Sequence, residues 1–244
     1  MLLKPRHLIF LFLILGACAQ EETNRETTPE ETLLQFTQLT DSQTGIDFSN
    51  TLTESEELNY FVHSGFYNGA GLAVGDLNND GLVDLFFSGN QVGNEIYLNQ
   101  GDLSFKKITE TTGIALHKGW CTGATMVDIN QDGWLDIYVC RYFSPNKTTP
   151  KSNLLFINQG DLTFTEEANQ YGIADSGNSV QATFLDYDLD GDLDLYVLNQ
   201  PTNFREEKAK LIPPNNWKDT DRLYRNEGKQ SFVEVSQEAG ILNY

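Results

Sequence analysis

Three stretches of nine residues gather oxygen-bearing side chains in one pattern. They are Asp76-Leu77-Asn78-Asn79-Asp80-Gly81-Leu82-Val83-Asp84, Asp128-Ile129-Asn130-Gln131-Asp132-Gly133-Trp134-Leu135-Asp136 and Asp186-Tyr187-Asp188-Leu189-Asp190-Gly191-Asp192-Leu193-Asp194. Positions 1, 3, 5 and 9 are Asp or Asn in every copy, and position 6 is Gly. A hard divalent cation collects about six to eight oxygens from carboxylates, amides and backbone carbonyls. The candidate side-chain ligands are therefore Asp76, Asn78, Asp80 and Asp84, then Asp128, Asn130, Asp132 and Asp136, then Asp186, Asp188, Asp190 and Asp194. The position-7 carbonyl of Leu82, Trp134 or Asp192 would add another oxygen, and the glycine lets the chain reverse between ligands. Calcium suits this set better than magnesium, which holds a tighter octahedron, or zinc, which prefers His and Cys. Three loops lead to an expectation of about three Ca2+ per chain, in a structural role, because facing aspartates repel without an ion. The competing reading is that Asp, Asn and Gly simply build turns. An EF-hand or a dockerin-like loop is excluded, since position 12, where either needs an acidic ligand, is Phe87, Val139 or Val197.

The loops belong to a longer unit. Each is followed by a short apolar run, Leu85-Phe86-Phe87, Ile137-Tyr138-Val139 or Leu195-Tyr196-Val197, which predicts a strand buried on both faces. A second run follows in each copy and ends in Asn-x-Gly at Asn99, Asn158 and Asn226, a hairpin pattern. A fourth element begins at Phe105, Phe164 and Phe232 and closes at Gly113, Gly172 and Gly240. Four strands in about 50 residues make one propeller blade, whose apolar faces must be covered by its neighbours. A β-sandwich would alternate apolar and polar residues in the strand after each loop. The fold expected is all-β, with β-propeller-type four-stranded blades, calcium loops and about three blades in an incomplete ring. The repeats fall at about 70–115, 122–174 and 180–242, inside an array spanning 34–244. The closing element recurs at Phe36 to Ile46, predicting a strand there without the rest of its blade.

The first residues have a different character. Lys4 and Arg6 precede an apolar run from Leu8 to Leu15, too short to span a bilayer, and then Gly16, Ala17 and Cys18. Residues 1–17 read as a lipoprotein signal peptide, with Cys18 the lipidated residue. Residues 18–33, rich in Glu and Thr, read as an acidic disordered tether. Net charge is −19. That excludes nucleic acid as a natural partner, because phosphates are bound by Lys and Arg, and it favours cations. The expected location is exported and lipid-anchored to a bacterial outer membrane, surface-facing rather than periplasmic.

The repeats resemble the FG-GAP/VCBS repeats of integrin-α-like propellers. Gly119-Trp120-Cys121-Thr122-Gly123, leading into Asp128, and Gln181-Ala182-Thr183-Phe184-Leu185-Asp186-Tyr187-Asp188 resemble the bacterial relatives of cartilage acidic protein. The resemblance covers about residues 36–244. It implies a propeller with calcium in the loop between the first two strands of each blade, bound by the positions named above.

Three functions follow as expectations. One is a surface-anchored module for ligand binding or adhesion, its partner an extracellular glycan, matrix or protein. In its support the long connections at 141–151 and 200–220 carry aromatics, and Tyr142, Phe143 and Trp217 are candidate ligand contacts, with packing over blade edges as the alternative. The second is a part, catalytic or not, of a longer polysaccharide-processing enzyme. No catalytic residue is assigned, because beyond the leader the histidines are His63 and His117, in different units and beside no nucleophile motif. The third is a structural part of a larger anchored assembly. Cys121 and Cys140 flank the second loop and could be a disulfide or two buried thiols.

Overall fold

A computed structural model describes residues 36–63, 65–143, 151–200 and 220–241. The expected leader 1–17, Cys18, the whole tether 18–33 and Trp217 lie outside the described residues. Residues from Leu39 onward form one unit, and Phe36 to Gln38 belong to the segment before it. No described helix is long and apolar enough to cross a membrane.

Among the described residues twelve strands form three four-stranded antiparallel sheets, each in plain sequence order. The first blade is β1 (Leu72–Gly75), β2 (Asp84–Phe87), β3 (Glu95–Asn99) and β4 (Phe105–Lys107). Next come β5 (Cys121–Val127), β6 (Asp136–Arg141), β7 (Leu154–Asn158) and β8 (Phe164–Glu166). The third holds β9 (Ser179–Leu185), β10 (Asp194–Asn199), β11 (Arg222–Asn226) and β12 (Phe232–Glu234). The Asp loops join the first strand of each blade to the second, and the Asn-x-Gly turns join the third to the fourth. The molecule is all-β with propeller-like blades.

Strand alternation explains how one blade serves two cores, because successive side chains point to opposite faces. From the middle blade, Ile137, Val139, Leu154 and Phe156 pack with Ala73, Phe86 and Ile96 of the first. Tyr138, Cys140, Leu155 and Ile157, each one residue on, pack with Ala182, Leu195 and Val197 of the third. Every residue of β6 and β7 is consequently buried. In β2 and β10 the expectation of two buried faces is corrected: partly exposed residues interrupt the buried ones, because each meets an apolar neighbour on one side among the described residues.

The first strands of the blades approach very closely. Ser88 Oγ donates to the Thr122 carbonyl, Thr122 Oγ1 to that of Ser179 at 2.7 Å, and Thr125 Oγ1 to that of Ala182 at 2.7 Å. The absence of side chains at Gly71 and Gly123 permits this; a Cβ on Gly123 would lie 2.6 Å from the Val180 carbonyl oxygen and on top of the Gln181 side chain. Gly123→Ala should therefore wedge the second and third blades apart. The expected loss is roughly 1–3 kcal/mol, read as a lower urea midpoint with an unchanged m-value.

One further expectation is corrected, and one open alternative is decided. Phe36 to Ile46 holds no strand; it contains a helical turn, α1 (Asp41–Thr44), ended by Gly45 in the left-handed conformation against the backbone carbonyl of Phe105. Gly113 and Gly172 stand the same way against the carbonyls of Phe164 and Phe232, so what Phe36 to Ile46 shares with the closing elements is their glycine and not their strand. Cys121 and Cys140 are two buried thiols, not a disulfide. Cys121 pairs with Arg141 across β5 and β6, which places Cys140 one residue off and facing the opposite core.

Candidate metal centres

The three loops share one network of hydrogen bonds. At position 1, Asp76, Asp128 and Asp186 each accept the backbone N–H groups of positions 5 and 6 on their two oxygens, at 2.7 to 3.2 Å. Position 3 accepts the position-5 N–H as well, and the position-5 carboxylate accepts the N–H of position 7. These are Asx turns, which wind a short chain around a centre and leave carboxylate lone pairs over. The winding requires left-handed backbone at positions 4 and 6. Gly81, Gly133 and Gly191 supply it at position 6, while Asn79, Gln131 and Leu189 adopt φ of 56°, 58° and 63° at position 4. Sequence reading missed position 4. Its side chain also bridges blades, Asn79 donating to the Gly133 carbonyl at 3.0 Å and Gln131 to Asp192 at 3.3 Å.

Position 9 has a second task. Asp84, Asp136 and Asp194 are fully buried. Each accepts the N–H of position 2 on one oxygen and, on the other, the N–H of the Asn that begins the Asn-x-Gly turn. That Asn side chain donates back to the position-8 carbonyl and accepts from the turn glycine. A buried carboxylate thus clamps the loop to the far hairpin of its own blade. Burial outweighs these hydrogen bonds and raises the Asp84 carboxyl, and it pushes Asp136 up to about 7. Tyr171, at the end of α2 (Ala168–Tyr171), is raised to about 12 by burial and then by the Asp136, Glu167 and Asp132 carboxylates.

Whether calcium fits is decided by the donors. No loop carboxylate is ion-paired with a basic side chain among the described residues. In the first two loops an amide relieves the crowding, Asn78 donating to Asp80 and Asn130 to Asp132, both at 2.9 Å. The third has Asp188 there, raised by partial desolvation and by the Asp190 carboxylate. Oxygens of Asp186, Asp188 and Asp194 lie within 4.8 Å of one another, the one such acidic group among the described residues. Oxygen donors alone, with negative charge left uncompensated, suit a hard cation and give no His or Cys for a soft one.

The other expected contacts are placed differently. Tyr142 and Phe143 are buried with Phe66 and Trp120, so they are not exposed ligand contacts. The segment before β1 covers them, and Tyr142 reaches only the wall of a cavity of about 250 Å3 beside Trp120 and Gln181. Both histidines are taken up in ring packing, His63 stacked 4.0 Å from Phe143 and His117 edge-on to Phe156 at 5.3 Å. Burial lowers the pKa of each.

Comparison with known proteins follows the same units. A family model described as an FG-GAP-like repeat matches residues 76–139 and 143–197, each segment ending in the strand behind an Asp loop. Cartilage acidic protein 1 of Xenopus tropicalis is 27% identical over 135 residues, which is 55% of this chain and 20% of that protein. The match thus spans about a fifth of that relative. Among solved structures, one concerning recognition of non-reducing terminal N-acetylglucosamine by an Agrocybe aegerita lectin aligns with 66% of this chain and 36% of its own. Identity there is 19% and the TM-score 0.36, too loose a superposition to transfer geometry or a ligand.

Proposed function

We propose that this chain, a member of the FG-GAP-like repeat proteins, is a non-catalytic binding module whose three Asp loops are held by calcium. Lipid on Cys18 would anchor it to the outside of a bacterial outer membrane, and its partner would be an extracellular glycan or protein. The observation that carries the calcium reading is the repetition of one oxygen-lined winding in three loops, none of whose carboxylates is ion-paired with a basic side chain among the described residues. Asp76, Asn78, Asp80 and Asp84 would hold the first ion, with the equivalent residues holding the others. The ion's charge would offset the carboxylate repulsion and fix the loops that bridge neighbouring blades. A binding role is supported by the repeat family and by the packing of His63 and His117 against aromatic rings.

The test is to count ions on folded, chelator-stripped and reloaded protein. About three Ca2+ per chain at about pH 7.5 are expected, and none would sink the reading. Acidification sharpens it. Asp136 titrates near 7 in the metal-free chain, so calcium must displace a proton there below that pH, and affinity at the second loop should fall about eightfold between about pH 7.5 and about pH 6. The linkage to stability has the opposite sign: a carboxyl raised above its unfolded value of about 3.9 stabilises the metal-free fold as pH falls from 7 towards 4, and loses that contribution as pH rises through 7.

A further inference from the structure

The blades are copies of one unit, so a place where one copy departs from the others carries information. Two departures meet between the second and third blades. At loop position 7 the second copy has Trp134, where the first has Leu82 and the third Asp192. In the turn joining the last two strands, Leu103 and Leu162 of the first and second blades correspond to Gln230 in the third, all at left-handed φ of 58°, 65° and 61°. Leu162 packs onto the apolar cluster between the first and second blades. Gln230 instead lines an open cavity of about 430 Å3 together with Trp134, Asp132, Gln159, Glu167 and Gln170.

The walls of this groove exclude most ligands. With amides and carboxylates around one indole, it offers little to an apolar peptide face, which needs a dry, well-packed anchor pocket. Glu167, the one lining carboxylate outside the calcium loop, has no basic residue beside it in the lining and repels phosphates, sulfates and uronates. A sugar ring matches what remains. Its C–H face suits an aromatic ring, and its hydroxyls both donate and accept, as amides do, while carboxylates accept from them. The indole is held in place, lying along Gly160 so closely that a Cβ there would be 3.1 Å from the ring.

We infer that the groove between the second and third blades binds one residue of a neutral or amino-bearing saccharide, with Trp134 as the ring platform and Gln159, Gln170, Gln230 and Glu167 as its hydrogen-bonding partners. The inference rests on the reading of the chain as a binding module and names the ligand class for it.

The experiment passes the calcium-loaded full chain over immobilised neutral, N-acetylated and uronate oligosaccharides, beside Gln230→Leu and Gln170→Leu. Gln230→Leu installs the residue that occupies the equivalent turn position in the first two blades, in a backbone conformation leucine adopts there. Retention of a neutral or amino sugar and not of uronates is expected, weakened about tenfold or more in both variants at unchanged Tm and calcium content. Equal retention by wild type and both variants would overturn the groove as the site while leaving a saccharide-binding module standing. No saccharide retained by wild type carrying its full calcium would overturn the inference and turn the module towards a protein partner. Failure to load calcium at all would instead strike the reading on which it rests.

Discussion

Stripping calcium with a chelator should lower Tm by roughly 15 to 30 °C relative to the protein in about 10 mM calcium, the largest solution effect expected of this chain. The arithmetic follows from site number and weak affinity. Loops of extracellular modules bind with Kd on the order of 10⁻⁴ M or weaker. At a concentration a hundredfold above that, each ion held only by the folded state adds about 2.7 kcal/mol, and three together add about 8 kcal/mol. Domains are commonly stable by about 5–15 kcal/mol in all, so the metal-free chain should stand near its unfolding threshold. The third loop provides an internal check. Asp188→Asn places there the amide that Asn78 and Asn130 already use to relieve Asp80 and Asp132. Metal-free Tm should rise in that variant, while the calcium-induced gain shrinks. A metal-free Tm that falls instead would mean that the Asp188 carboxylate is not under repulsion, and a chelator without effect would leave the loops as turns.

What the sequence shows about this molecule depends on how far apart the cooperating residues lie. The loops were legible because their donors are nine contiguous residues repeated in register, and the strands because turn residues bracket short apolar runs at the same offset from each loop. The clamp at position 9 was not legible. Its partner Asn lies 15, 22 and 32 residues away in the successive blades, since the connection between the middle strands varies, and no fixed spacing ties the two together. For the same reason the residues before the third strands escaped notice. Asn94, Asn153 and Asp221 accept the N–H of Gly89, Arg141 and Asn199, holding the chain where the second strand ends. Tyr142 and Phe143 could be read either way, because they begin a long connection, where an aromatic can be exposed or can pack over a blade edge. Burial came from Phe66 and Trp120, which no local pattern places against them. The cysteines show the limit of counting along a chain. A shift in pairing register between Cys121 and Ala124 decides which residues of β5 and β6 oppose each other, and only the paired sheet reveals that the two thiols serve opposite cores.

The clamp separates two kinds of loop aspartate, and substitution should divide them cleanly. Asp136→Ala leaves the N–H groups of Ile129 and Asn158 buried and unpaired, where they now donate at 3.1 and 2.8 Å. Each orphaned group costs about 1–3 kcal/mol, so the pair removes roughly 2–6 kcal/mol before the methyl-sized void is counted, and saturating calcium cannot restore it. Asp128→Ala is different. Its carboxylate accepts from Asp132 and Gly133, both exposed, and water can take those N–H groups over. This variant should fold in the absence of metal about as well as the parent and bind one calcium fewer. Urea midpoints with chelator and with calcium, alongside ion counts, give the comparison: Asp136→Ala shifted down in both conditions, Asp128→Ala shifted only with calcium. Equal midpoints for the two variants in chelator would refute the division, making position 9 one ligand among four. If the division holds, a blade is closed by its buried Asp–Asn clamp before any ion arrives. Calcium then acts on the outer turns of the loops, where Asn79 and Gln131 reach the next blade, and its contribution goes to the alignment of one blade with another.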